Sequence, residues 1–369
     1  MAEMRILFVN NFRGRGGGEE FLRDLLPGLA AKGVSVGLVC RPGTPLVTMF
    51  QGSDITVYPT DRSGMKGLSS LFRIAGIVRK HRYQLINIQR GHDIIQSWLG
   101  TALSGTRPVL LYTPQVPEFL RSKLLLRRMD AVVTISRYIR DRLAEFDPRI
   151  GTRTTIQYYG IDTDAIRQDA APSGALRKRF GLRPGTKLIG SVGDLWKNQI
   201  EFLDALMLLR KRFGDVRYVL VASETGIGQI EIFRKRAAEL GLTDAILWAG
   251  RLAKTDMLAF YADLDLAVST YRNEGFGIWI LEAMAMGKPV VAFNAGGIRD
   301  SLEGSPSGVL VDGGAAEMAD AIAGLLQDTV RYRRMAEAAP GWVRSHFSRE
   351  RMIDDYYAYF AGLIAGGKR

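Results

Sequence analysis

The chain has 369 residues, 47% of them hydrophobic and 24% charged, with a net charge of +12. That balance fits one or two globular domains with real cores and excludes a disordered or low-complexity chain. A single cysteine rules out an internal disulfide, one Cys with three His leaves no set for structural zinc, and no apolar run approaches the roughly 18 residues of a membrane span.

The positive charge is unevenly placed. Residues 1–160 carry 23 Lys and Arg against 12 Asp and Glu, a surplus of +11, whereas residues 161–369 carry 27 against 26, a surplus of +1. Such a field favours an anionic partner such as phospholipid, lipid-linked phosphate or nucleic acid; an ordinary solvated basic face is the alternative. The start of the chain runs almost directly into Ile6-Leu7-Phe8-Val9, too early for a signal peptide, so none is expected. Cys40 ends an apolar run and is expected to be a buried thiol of a cytosolic protein.

Strands are predicted at Arg5–Asn10, Val34–Cys40, Ile55–Pro59, Leu85–Gln89, Val109–Thr113, Ala131–Ile135 and Thr154–Tyr158. A second series follows at Lys187–Gly193, Tyr218–Ala222, Ile246–Gly250, Leu264–Ser269, Pro289–Phe293 and Val309–Val311. Many are β-branched and continuously apolar, as parallel strands covered on both faces are. Helical patterns lie between them at Glu20–Lys32, Leu68–Lys80, Ile200–Arg212, Gln229–Leu240 and Ala315–Gln327, and an amphipathic helix is expected from Ser348 to Leu363. The alternation implies doubly wound α/β sheets. Asp162, Asp164, Asp169, Pro172, Ser173, Gly174 and Pro184-Gly185 interrupt it, placing a boundary near residues 160–175. Two Rossmann-like domains facing each other across a central cleft are therefore expected, with ligands outside the carboxyl ends of the strands.

Within this frame several pieces carry chemistry. The first strand leads into Arg13-Gly14-Arg15-Gly16-Gly17-Gly18-Glu19-Glu20, where glycines at a strand-to-helix turn let backbone amides approach a phosphate. It has neither the dinucleotide register nor a Walker lysine. Ser70–Arg82 and Phe119–Arg128 mix apolar and basic residues at helical spacing. Either they touch an anionic bilayer surface or they are core helices with basic outer faces. No aromatic-basic platform accompanies them, so no nucleic acid is expected as partner. Far along the chain, Glu274-Gly275-Phe276-Gly277-Ile278-Trp279-Ile280-Leu281-Glu282 sets two carboxylates eight positions apart around a Gly-Phe-Gly turn. A helix starting near Gly277 would aim free N–H groups at an anion, with Glu274 in the loop before it and Glu282 more than one turn inside.

This stretch resembles the Glu-x7-Glu signature of retaining, nucleotide-sugar-dependent glycosyltransferases of the GT-B fold, the large family 4 or group 1. Gly16-Gly17-Gly18-Glu19 is similar to that family's Gly-Gly-Ala-Glu turn. Lys197 matches the lysine that holds the donor diphosphate, while Asp194 and Asn198 stand where the family has Arg and Gly. An acid beside a diphosphate must be turned away or paired, and Arg251 or Arg272 is a possible replacement for the missing charge. Leu247–Leu252, Met257–Ser269, Gly287–Ala292 and Gly296-Gly297 also agree in order and spacing, so the likeness covers about 120 residues of the second half.

The resemblance implies domains at residues 1–165 and 170–347, with a C-terminal helix at 348–369 packing back on the first. It assigns Glu274 and Lys197 to catalysis, and Gly16, Gly17, Gly18, Lys197, Arg251, Gly275, Phe276, Gly277, Ile278 and Glu282 to the donor. Glu282 would accept hydrogen bonds from ribose hydroxyls, and Glu274 would sit near the anomeric centre. Neither a metal nor a cofactor is implied, since Asp263-Leu264-Asp265 reads as a helix-to-strand turn. On the acceptor side the family's His-x-His reads Asn87-Ile88-Gln89 and a later histidine reads Gln115, leaving His92 or the amides of Asn87, Gln89 and Gln115 to meet a sugar. The implied partners are a UDP- or GDP-sugar, a glycan or lipid-linked acceptor, and an anionic membrane surface. The competing readings are a GT-B sugar-nucleotide epimerase and a non-catalytic binding partner.

Overall fold

The computed structural model describes residues 3–14, 16–61, 66–116, 122–168, 174–223 and 227–367. The expected loop Glu224-Thr225-Gly226, the residues Phe119, Leu120 and Arg121, and the linker residues Asp169, Pro172 and Ser173 lie outside the described residues. Contacts divide the chain into two compact units, one of Met1–Gly160 with Arg349–Arg369 and one of Ile161–Ser348.

The first unit is built on seven strands: β1 (Arg5–Asn10), β2 (Ser35–Cys40), β3 (Thr56–Pro59), β4 (Leu85–Ile88), β5 (Val109–Tyr112), β6 (Ala131–Thr134) and β7 (Thr154–Ile156). The second has six: β8 (Lys187–Val192), β9 (Val216–Val221), β10 (Ile246–Trp248), β11 (Leu266–Ser269), β12 (Val290–Phe293) and β13 (Gly308–Val311). The thirteen strand positions expected from apolar runs are all occupied, with ends shifted by no more than two residues. Ile6, Leu7, Phe8 and Val9 of β1 have no exposed surface, because side chains on both faces of a central parallel strand meet helices.

The sheet orders are β3-β2-β1-β4-β5-β6-β7 and β10-β9-β8-β11-β12-β13. Each pairing is parallel. In both units the chain winds outward in one direction from the first strand, returns, and winds in the other. Right-handed crossovers then place helices on opposite faces and open a crevice where the order reverses, between β1 and β4 and between β8 and β11.

Several helices fall where the periodicity puts them: Gly17–Ala31, Lys66–His81, Phe202–Phe213, Ile227–Glu239, Ala315–Gln327 and Arg349–Gly366. The last belongs to the first unit and packs on Gly17–Ala31, with Phe21 edge-on to Tyr356 at 5.3 Å and Phe8 edge-on to Phe360 at 6.1 Å. In Lys66–His81 the residues Ile74, Ile77 and Val78 are buried, while Arg73, Arg79 and Lys80 face outward. That stretch is thus chiefly a core helix with a basic outer face, although Phe72 is left 67% exposed. Cys40 is buried, and burial pushes its thiol up to about 12. Among the described residues no helix is long and apolar enough to cross a membrane.

Candidate active site

In the second unit the loops after β8 and β11 flank the reversal point. The first turns through Leu195–Lys197 in a single 3-10 turn, and the second leads through Glu274 into the helix Ile278–Ala285. Lys197 Nζ donates to Glu274 Oε2 at 2.8 Å, so the structure brings these two expected residues into one ion pair. Their side chains are 22% and 13% exposed, enough shielding to make the pair stronger than a surface one. The ammonium also lies 5.5 Å from the Trp196 ring centroid and 5.6 Å from that of Tyr271. Two aromatic faces and a carboxylate thus hold the charge of Lys197 at the mouth of the crevice.

Glu274 is fixed from both ends. Its Oε1 accepts from the Gly275 amide at 3.2 Å, and its carbonyl accepts from Gly297 N at 2.7 Å. Phe276 is buried edge-on to Phe347 at 5.7 Å, and its carbonyl accepts from Ser301 Oγ at 3.1 Å. Gly277 is the N-cap of Ile278–Ala285, so Gly275–Ile278 form the approach to a helix start whose first N–H groups have no intrahelical acceptors. Glu282, inside that helix, accepts from the Tyr261 hydroxyl at 2.6 Å. Burial first, and then the Glu282 charge, hold the Tyr261 hydroxyl well above its ordinary range, so it remains a donor. Tyr261 lies outside the signature, and only its place in the helix Lys254–Asp263 preceding β11 linked it to the site.

The two departures from the family pattern have local explanations. Asn198 adopts φ 63°, ψ 27°, the left-handed region that glycine or asparagine tolerates, so Asn serves where Gly is usual. Asp194 Oδ1 accepts from both Ser223 N at 2.8 Å and Ser223 Oγ at 2.5 Å, which commits that oxygen to the neighbouring loop. Arg272 is engaged elsewhere: it pairs with Glu201 at 2.9 Å, donates to Gly313 O at 3.2 Å, and stacks 3.9 Å over Phe293. Arg251 is exposed on the turn after β10. Asp263 accepts from the amides of Gly174, Leu176 and Arg177, while Asp265 pairs with Arg177 at 2.7 Å, so both carboxylates brace the start of this unit. Among the described residues no group of three His, Cys, Asp or Glu is placed to hold a metal ion.

The first unit has its own polar cluster at the matching crevice. Gly17 and Gly18 open the helix after β1, with Gly16 as its N-cap. Glu19 is fully buried there, and its Oε1 accepts from Asn10 Nδ2 at 3.0 Å and Arg90 Nη2 at 2.9 Å. Arg90, after β4, in turn stacks 4.2 Å over Phe12. Asn87, Gln89 and Gln115 form a chain of amides: Gln115 Nε2 donates to Gln89 Oε1 at 2.7 Å, and Gln89 Nε2 donates to Asn87 Oδ1 at 2.6 Å. Gly18 abuts this chain, since a Cβ there would lie 2.8 Å from Gln115 Oε1. Glu19 Oε2 and Asn87 Nδ2 are buried without a hydrogen-bond partner among the described residues, an unusual cost that a polar ligand would relieve. His92 sits on the turn Gly91–Asp93 with its side chain 62% exposed, its Nε2 3.5 Å from Asp93 Oδ1. Arg90 and Asp93 were not singled out by the sequence; their signal was their place just after an expected strand.

Two doubly wound parallel sheets of this order, each with a polar crevice at its reversal point, define a GT-B glycosyltransferase fold. The pattern described as "Glycosyltransferase Family 4" matches residues 15–165, that described as "Glycosyl transferases group 1" matches residues 186–328, and the chain belongs to this family. It is 31% identical over 291 residues to a GDP-mannose-dependent alpha-(1-6)-phosphatidylinositol monomannoside mannosyltransferase of Mycobacterium tuberculosis, covering 69% of this chain and 73% of that one. It is 32% identical over 231 residues to the lipopolysaccharide core biosynthesis mannosyltransferase LpsB of Rhizobium meliloti, covering 61% and 62%. The crystal structure of Anabaena Alr3699/HepE in complex with UDP and glucose superposes with a TM-score of 0.80 at 23% identity, covering 97% of this chain and 100% of that one.

Proposed function

We propose that this glycosyltransferase moves a hexose-type sugar, with retention and without a metal, from a UDP- or GDP-sugar to a glycan or lipid-linked acceptor in bacterial cell-envelope polysaccharide or lipopolysaccharide synthesis. The observation that carries the reading is the Lys197–Glu274 pair at 2.8 Å beside the start of Ile278–Ala285. Breaking the bond from the anomeric carbon to a nucleoside diphosphate puts negative charge on the leaving group and positive charge on the carbon. Lys197 and the amides of Phe276–Ile278 answer the first, Glu274 the second. The acceptor oxygen bonds to the anomeric carbon on the face the diphosphate leaves, and its proton passes to the departing β-phosphate oxygen. Glu282, oriented by Tyr261, takes the ribose hydroxyls. The amide chain of Asn87, Gln89 and Gln115, together with the exposed His92, receives the acceptor. GDP-mannose in the mycobacterial relative's name and UDP in the Anabaena structure support the two donor bases proposed.

Phe72 and Leu124, each 67% exposed, stand beside Arg73 and Lys123, and this supports a cytoplasmic enzyme resting on the anionic inner face of the membrane. The test is slow donor hydrolysis with a panel of UDP-, GDP-, ADP- and dTDP-sugars, with and without EDTA. One donor is turned over with its anomeric configuration kept, EDTA has no effect, and Glu274→Ala abolishes the rate. Tight donor binding with no turnover would favour the non-catalytic reading, and turnover to an epimeric sugar nucleotide the epimerase.

A further inference from the structure

At the opposite end of the first unit's strands, by the amino ends of β4 and β5, a concavity of about 520 Å³ is lined by Arg79, Arg82, Arg107, Tyr83, Pro108 and Val109, among others. The four-residue strands separate it by roughly 13 Å from the loops bearing Gln89 and Gln115, so it is not part of the crevice above. Among the described residues its lining holds three arginines and no carboxylate. All three are exposed, and none of them makes an ion pair among the described residues. The apolar floor is fixed: Pro108 and Val109 are buried, and the Tyr83 hydroxyl is spent on that of Tyr58 at 3.0 Å. Arg82 moreover adopts φ 50°, one of two non-glycine residues with positive φ among those described. The other is Asn198 of the donor loop. A β-carbon is disfavoured there, and residues so held gather at ligand sites.

We infer that this three-arginine pocket is a second anion site, taking a phosphomonoester or diphosphate group carried by a small molecule or by a lipid headgroup. Three guanidiniums around one concavity repel each other until a dianion neutralises them, and their planar donors match phosphate oxygens two at a time. The size is that of a small-ligand pocket, and the apolar floor leaves room for a compact body behind the phosphate.

The probe is inorganic pyrophosphate, titrated calorimetrically into the full chain, into Arg79→Gln/Arg107→Gln, into Arg82→Gly and into Lys197→Ala. Wild type binds, and the double variant binds at least about tenfold more weakly, as the loss of two charge-assisted contacts requires. Lys197→Ala loses only the pyrophosphate held at the donor loop and keeps the arginine-dependent binding, which it thereby isolates. Arg82→Gly also loses affinity while its melting temperature holds or rises, since glycine relaxes the backbone there; weakened binding therefore cannot be blamed on unfolding. Absence of wild-type binding, equal binding by the arginine variants, or loss confined to Lys197→Ala overturns the inference. Phosphatidylcholine vesicles with and without phosphatidic acid separate the two sources. Arginine-dependent sedimentation with the acidic vesicles, released by pyrophosphate, assigns a headgroup. Pyrophosphate binding alongside vesicle sedimentation that is indifferent to the arginines assigns a soluble ligand.

Discussion

Gly297→Ala should disable the enzyme without removing any group that contacts substrate. A Cβ on Gly297 would lie 2.0 Å from the Gly275 carbonyl oxygen and 3.1 Å from Phe276 N, both backbone atoms that cannot swing aside as a side chain can. Because real Cβ contacts hardly ever fall below 3.0 Å, the Glu274–Phe276 loop must retreat by about 1 Å. The same movement stretches the Gly297 N to Glu274 O hydrogen bond, now 2.7 Å. Misplacement of a catalytic group by about 1 Å costs on the order of a hundredfold in rate, equivalent to about 2.7 kcal/mol of barrier. The overpacking itself costs roughly 1–3 kcal/mol of stability, which leaves the domain folded. The measurement is kcat/KM for donor hydrolysis beside thermal melting, with Gly324→Ala as companion. Gly324 is exposed in Ala315–Gln327 with open space around its Cβ position, so alanine there should add roughly 0.5–1 kcal/mol and leave the rate alone. A folded Gly297→Ala enzyme within about threefold of wild-type activity would refute the reasoning.

The ion pair predicts non-additivity: Lys197→Met and Glu274→Gln should each cost about 100- to 1000-fold in hydrolysis, and the double variant little more than the worse single, so multiplied losses would show that the two act separately. Arg90→Met strands the fully buried Glu19 carboxylate, so unit one should lose roughly 3–5 kcal/mol, with partial recovery when Glu19→Gln is added; an unchanged melting curve would count against the network. Tyr261→Phe removes the hydroxyl that orients Glu282 and should weaken nucleotide binding several-fold with little change in kcat, as read by nucleotide titration. The molecule should also lose stability in alkali. Burial raises Cys40 and Tyr332 to about 12 and holds Tyr83, Tyr218, Tyr261 and Tyr356 above their ordinary range. These groups keep their protons when folded and release them when unfolded, so each stabilises fully below its unfolded pKa and ceases to as pH climbs to its folded value. Melting temperature should therefore fall steadily above about pH 9, with tyrosinate absorbance appearing at the transition; a flat profile to about pH 11 would contradict the burial.

How much of this was readable in advance depended on range along the chain. Strands such as Arg5–Asn10 and helices such as Ala315–Gln327 declare themselves because a covered parallel strand must be apolar throughout and a flanking helix apolar on one face. Glu274 and Glu282 were readable for a similar reason, since one loop and the helix after it hold both. What could not be read were partnerships between distant loops. Asp194 looked like a liability beside a diphosphate, yet Ser223, 29 residues on, takes one of its oxygens. Arg272 was a possible replacement cation, and Glu201 holds it instead. Glu19 and Arg90 are 71 residues apart and meet only because β1 and β4 are neighbours. The Lys197–Glu274 pair spans 77 residues and follows from the adjacency of β8 and β11.

The late helix Arg349–Gly366 has a consequence for how the protein is made. Phe8, Phe21 and Gly28 leave the ribosome more than 300 residues before Phe360, Tyr356 and Ile353, which cover them. The first half therefore waits, with an apolar strip on Gly17–Ala31 uncovered, through the whole synthesis of Ile161–Ser348, a continuous segment able to close its own sheet meanwhile. Birth order is thus inverted: the unit begun first is completed last, and a chain arrested before Arg349 should be the aggregation-prone species that a chaperone must guard.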